Sequence, residues 1–227
     1  PVRGVTVDGV GFRDAGPVYE ERWGVPSGGD WALHKSAAVE LSGTEQVTVQ
    51  KCTFRRLDGN GVGLIGRNRG ASLDSNDFDR IGCSAMFGWG ETDQGWDGRK
   101  GNQPRGTRVR GNIVREIGYY EKQSSAWFQA KTAQTEVSGN AFFNMPRAAI
   151  NFNDGFGGGN NVTDNLIFNT CRESGDHGPI NTWDRQVFAT DLGKNGATAL
   201  DPLPTTVEGN FIFANYGGSQ GMQSAPS

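Results

Sequence analysis

Val137-Ser138-Gly139-Asn140-Ala141-Phe142 and, 25 residues further on, Val162-Thr163-Asp164-Asn165-Leu166-Ile167 share one pattern: an apolar residue, an asparagine three positions later, and a second apolar residue two beyond that. The same spacing recurs at Val49-Cys52-Phe54, Leu73-Asn76-Phe78, Val109-Asn112-Val114 and Val207-Asn210-Ile212, and Val7-Val10-Phe12 fits at the start. The central positions 52, 76, 112, 140, 165 and 210 lie 24, 36, 28, 25 and 45 residues apart, so the basic unit is near 24 with insertions in some repeats. A repeat of that length marks a solenoid, and it suits three short strands joined by three turns. Around it apolar residues alternate, as in Val47-Val49 and Ile150-Phe152, which is the period of a strand with one buried face.

Asn76, Asn112, Asn140, Asn165 and Asn210 hold the central slot in succession. Asparagine tolerates the left-handed backbone of a sharp corner, and its amide can bond the same amide one coil above and below. An internal asparagine ladder is therefore expected. The chain reads as a right-handed single-stranded parallel β-helix of about seven coils, all-β, one domain over residues 1–227, cut from a longer protein. Strands of adjacent coils would then pair about 4.8 Å apart, stacking equivalent residues.

Composition agrees. With 35 glycines, 3 methionines and 35% hydrophobic residues, the chain is built from short segments and tight turns, not long packed helices. A net charge of −3 gives no broad attraction to nucleic acid or an anionic membrane, and neither is expected as a partner. No apolar run reaches the ~20 residues of a membrane-spanning helix. Residues 1–15 lack a secretion signal, while Asn161-Val162-Thr163 is a glycosylation sequon compatible with secretion. Cys52, Cys83 and Cys171 form no CxxC spacing and read as small buried residues. No metal or other cofactor is indicated.

Function on a solenoid falls to outward-facing residues and to the insertions around them. Three insertions stand out, at residues 13–37, 88–106 and 186–205. The first carries Tyr19, Trp23 and Trp31, the second Trp89 and Trp96 with Glu91, Asp93 and Asp97, and the third is polar and proline-rich. Aromatic rings beside carboxylates suit sugars, whose C–H faces pack on rings while acids bind hydroxyls. They suit equally a cover folded back over exposed sheet. Ile150-Asn151-Phe152-Asn153-Asp154 and Ile180-Asn181-Thr182-Trp183-Asp184 both read Ile-Asn-x-x-Asp. In register, Asp154 and Asp184 would hold their carboxyls roughly 5 Å apart, near the ~5–5.5 Å of a retaining glycosidase. Such proximity would raise one pKa and supply a general acid. Asp176-His177, between glycines, offers a proton acceptor or a group that orients a hydroxyl. Glu121, Lys122, Lys131 and Arg185 could add charge to the same face. Each of these acids and bases is also an ordinary turn or surface residue.

Glu116-Ile117-Gly118, Glu121-Lys122-Gln123, the run from Pro146 to Gly155, and Glu173-Ser174-Gly175-Asp176-His177-Gly178 with Asn181-Thr182-Trp183 resemble a β-helical glycoside hydrolase family with α-L-fucosidase and xylanase members. The resemblance is strongest over residues 112–188 and extends back toward Pro26. It implies a pectate-lyase-like scaffold, secretion and action on polysaccharide, with Asp154, Asp176 and His177 at acidic and histidine positions of the family pattern. The chain departs at Trp183-Asp184-Arg185-Gln186, where that pattern runs Trp-Gly-Arg-Asp, so a family carboxylate falls on Gln186. The expectation is a carbohydrate-active protein that hydrolyses a glycosidic bond through Asp154, Asp176, His177 and Asp184, with Glu121, Lys122, Lys131, Trp89, Trp96, Trp183 and Arg185 binding substrate. A noncatalytic carbohydrate-binding or structural solenoid, and a polysaccharide lyase or epimerase, are the alternatives.

Overall fold

The computed structural model of the chain describes residues 1–16, 23–24, 33–92, 98, 100–153, 158–175, 177–182 and 203–216. Among these there is no helix; the strands gather into three parallel sheets and one antiparallel pair.

The first sheet stacks β1 (Val2–Arg3), β6 (Ala37–Glu45), β9 (Asn60–Arg69), β12 (Met86–Trp89), β16 (Trp127–Ala130), β19 (Ile150–Phe152) and β22 (Ile180–Thr182), with β13 (Pro104–Arg105) also on β9. The second stacks β2 (Thr6–Asp8), β7 (Thr48–Gln50), β10 (Ser72–Asp74), β14 (Arg108–Arg110), β17 (Glu136–Ser138), β20 (Asn161–Thr163) and β23 (Thr206–Glu208). The third stacks β3 (Gly11–Arg13), β8 (Thr53–Leu57), β11 (Asp77–Ile81), β15 (Ile113–Ile117), β18 (Ala141–Phe143), β21 (Leu166–Thr170) and β24 (Phe211–Asn215). The chain visits the three sheets in turn and begins again one layer on. That cycle is a parallel β-helix-like solenoid.

The repeat is in register. Val7, Val49, Leu73, Val109, Val137, Val162 and Val207 pair in one continuous row of the second sheet. Phe12, Phe54, Phe78, Val114, Phe142, Ile167 and Ile212 do so in the third. Both rows face inward: Phe54, Phe78, Val114, Phe142 and Ile167 have no exposed surface, and the rings of Phe12, Phe54 and Phe78 stack at 4.9 and 4.5 Å. Each such buried side chain contributes roughly 1.5–3 kcal/mol.

Between the second and third sheets runs the asparagine ladder. Asn112 Oδ1 accepts from the Asn76 backbone at 2.9 Å and from Asn76 Nδ2 at 3.0 Å. Asn140, Asn165 and Asn210 repeat the arrangement, and each Nδ2 also donates to a carbonyl, as Asn140 does to Val109. The amides thus bond the coil ends directly. The left-handed backbone falls not on the asparagines, as their corner position suggested, but on the residues before them, Ser75, Gly111, Gly139, Asp164 and Gly209, with φ of 56–67°. Asparagine is placed by its side chain, not by its backbone tolerance.

Two of the insertions flank strands of the first sheet. Residues 14–36 precede β6 and include an antiparallel pair, β4 (Trp23–Gly24) with β5 (Leu33–His34). Residues 90–103 follow β12, while residues 183–202, between β22 and Leu203, lie outside the described residues. A second apolar cluster of Leu33, Ile65, Phe87, Trp89, Phe128 and Ala130, with Ala37 packed against it, forms where the first insertion meets the sheet. The three cysteines are buried thiols.

Candidate functional site

Five of the site residues expected from sequence fall in the described structure: Glu121, Lys122, Lys131, His177 and Trp89. Trp96, Asp154, Asp176, Trp183, Asp184 and Arg185 lie outside the described residues.

The equivalence of the two Ile-Asn strands holds. Ile150 pairs with Ile180, Asn151 with Asn181 and Phe152 with Thr182, and Phe128 of the preceding coil pairs with Asn151. Ile150 packs in the main core, so the strand alternation puts Asn151 and Asn181 on the outer face. Asn181 Nδ2 donates to Asn151 Oδ1 at 2.9 Å. Asn151 is fully buried, yet its own Nδ2 has no partner. A buried amide donor left unsatisfied costs about 1–3 kcal/mol, and native structures carry few of them.

The turns that lead into these strands supply charge. Arg147, 6% exposed, approaches the His177 ring, with Nη2 2.8 Å from Nε2 and 3.0 Å from Nδ1. A guanidinium is held against the imidazole one coil away, at the border of the Asn151–Asn181 face. Lys122 Nζ pairs with Glu173 at 3.1 Å, both exposed, and ties the turn before β16 to the turn before β22. Glu121 Oε1 accepts from the Gln123 backbone at 2.8 Å and caps its own turn. Together with the burial that dominates, the Glu121 and Asp58 carboxylates push the Cys83 thiol up to about 12.

Lys131 closes β16 with φ of 52°. Its carbonyl lies beneath Gly90, where there is no room for a Cβ, so the start of the 90–103 insertion rests directly on the end of β16. Trp89 is 6% exposed and belongs to the outer cluster. Gly24 lies against its indole so closely that a Cβ there would come within 2.7 Å of Cη2, and Lys35 Nζ sits 5.1 Å from the ring while pairing with Glu91 at 3.0 Å. In this position the indole packs under the first insertion and presents only a small edge to solvent.

Arg147 and Asn151, both buried, are not among the site residues expected from sequence. The signal for Asn151 was present in the repeated Ile-Asn pair; nothing local marks Arg147, whose neighbour His177 is 30 residues distant. Among the described residues no group of three metal-ligating side chains forms, and no helix is long and apolar enough to cross a membrane. Neither a scan against models of known protein families nor a search of curated proteins finds a match to this chain.

Proposed function

We propose that the chain is a right-handed, pectate-lyase-like β-helix that binds polysaccharide across the outer face of its first sheet and hydrolyses a glycosidic bond there, with Asp154 central. The observation that carries this reading is the register of β19 with β22: it stacks Asn151 on Asn181 and brings Arg147 to His177, residues whose sequence neighbours include Asp154, Asp176 and Asp184. The partly exposed Asn181 and His177, backed by the buried Asn151 and Arg147, are groups that bind and orient hydroxyls. Asp154 would work with Asp184 or Asp176 as acid and nucleophile, a division of labour that close carboxylates impose on one another by raising one pKa.

A lyase is the second reading, favoured by the buried Arg147 beside His177, since elimination from a uronate needs a cation on the carboxylate and a base nearby. Incubation with neutral and acidic polysaccharides separates the readings. A hydrolase releases reducing ends with no rise in ultraviolet absorbance, a lyase produces an unsaturated, absorbing product, and a binding solenoid retains the glycan and releases nothing.

A further inference from the structure

The corner where the third sheet turns into the first carries a groove of about 290 Å³ lined by Arg56, Leu57, Asp58, Arg80, Gly82, Tyr119 and Tyr120. We propose that this groove is a separate binding site for an uncharged, hydroxyl-rich ring, such as a neutral sugar unit of a glycan. The proposal does not depend on hydrolysis elsewhere on the molecule.

Two tyrosines stand out of this surface, Tyr119 at 50% and Tyr120 at 65% exposure. Their backbone is not loose. Gly118, Tyr119, Tyr120 and Glu121 all donate backbone bonds to residues 81–83 of the coil below. Gly82 admits the Tyr120 ring so closely that a Cβ there would meet its Cδ2 at 2.7 Å and would clash with the Asp58 carbonyl. The rings are thus held on a fixed backbone, which lowers the ordering cost of using them as a platform.

The charges select the ligand. Arg56 donates to Asp14 through Nε at 2.6 Å and Nη2 at 3.0 Å, and Arg80 pairs with Asp79 at 3.0 Å. Each guanidinium is thus already paired with a carboxylate, Asp79 being shared with Arg55 and Arg115, and Asp58 adds an acid to the lining. An anion would compete with acids already seated on the arginines, and a cation would meet both arginines. A polyol satisfies both signs together: its hydroxyls accept from guanidinium N–H groups and donate to Asp58, while its C–H face lies on a tyrosine ring. The volume is at the small end of ligand sites, fitting one ring and not an oligosaccharide enclosed end to end.

The test is affinity gel electrophoresis of the full chain through gels containing a neutral polysaccharide, galactomannan or arabinoxylan, or the acidic polygalacturonate. Retardation is expected in a neutral gel and not in polygalacturonate. Tyr119→Ala with Tyr120→Ala should weaken it at least tenfold without moving the melting temperature, and Tyr119→Trp alone should keep it. Asp58→Asn, which leaves the rings in place, should weaken it as well. Undiminished retardation of the folded double variant, no retardation of the wild-type chain in either neutral gel, or retardation by polygalacturonate alone would overturn the proposal.

Discussion

Asn181 donates its amide to Asn151 across neighbouring coils at 2.9 Å, while the Asn151 amide nitrogen is buried with no acceptor of its own. The inner ladder looks similar but behaves differently: there every Nδ2 from Asn76 to Asn165 reaches both a carbonyl and the next asparagine. The outer pair is the incomplete one, and incompleteness at a buried donor is a cost that a bound oxygen would remove.

Asn151→Leu should therefore leave the melting temperature unchanged or raise it, because it deletes an unsatisfied donor and Asn181 is half-exposed and can turn to water. Glycan turnover should fall at least ~10-fold, because Asn181 loses the acceptor that orients it. A large loss of stability would make Asn151 a structural residue.

The inner ladder predicts the opposite balance. Asn140→Leu removes the acceptor for two Asn112 donors and the donor to Val109, and should lower unfolding free energy by about 1–3 kcal/mol in chemical denaturation. A change near zero would show that the ladder does not hold the coils.

The scaffold was legible because its signal is periodic. Val49, Leu73, Val109, Val137, Val162 and Val207 announce their stacking through spacing alone, and the pairing follows it row by row. Even the Ile150 and Ile180 strands were readable from a shared pattern. Trp89 shows the limit. Its place between Gly24 and Lys35 depends on how an aperiodic insertion folds back, and composition cannot distinguish a platform from a cover. Arg147 shows another: a contact made across a solenoid layer leaves no mark in local sequence.

Cys83 is held as a thiol, pushed from 9.0 to about 12 chiefly by burial and further by Glu121 and Asp58. Since only thiolate reacts, alkylation by iodoacetamide at pH 8 should be slow in the folded chain and become fast only on unfolding. The sign for stability follows from the raised value. The contribution is present below the unfolded value of 9.0 and is lost as pH rises toward about 12. Rapid native-state labelling of Cys83 at pH 8 would contradict this environment.

Glu136 behaves in the reverse sense. Its pair with Arg110, at 2.7 Å through Nε, and its bond from Ser138 hold its carboxyl below the ordinary 4.5. The associated stability is present above that value and is lost as pH falls through the lowered one. Glu136→Gln should lower the melting temperature slightly at pH 7, the pair being partly solvent-exposed, and should matter less at acid pH, where the carboxyl takes up its proton. An equal loss at pH 7 and at acid pH would show that charge is not the cause.

Hydrolysis through Asp154 is decided by the turnover of an activated aryl glycoside by the wild-type chain and by Asp154→Asn. The wild type should turn over and Asp154→Asn should be slower by at least ~100-fold, the value of one positioned proton-transfer group, with an unchanged melting temperature. Turnover by Asp154→Asn at the wild-type rate, or wild-type protein that binds glycan and releases no product, would contradict it.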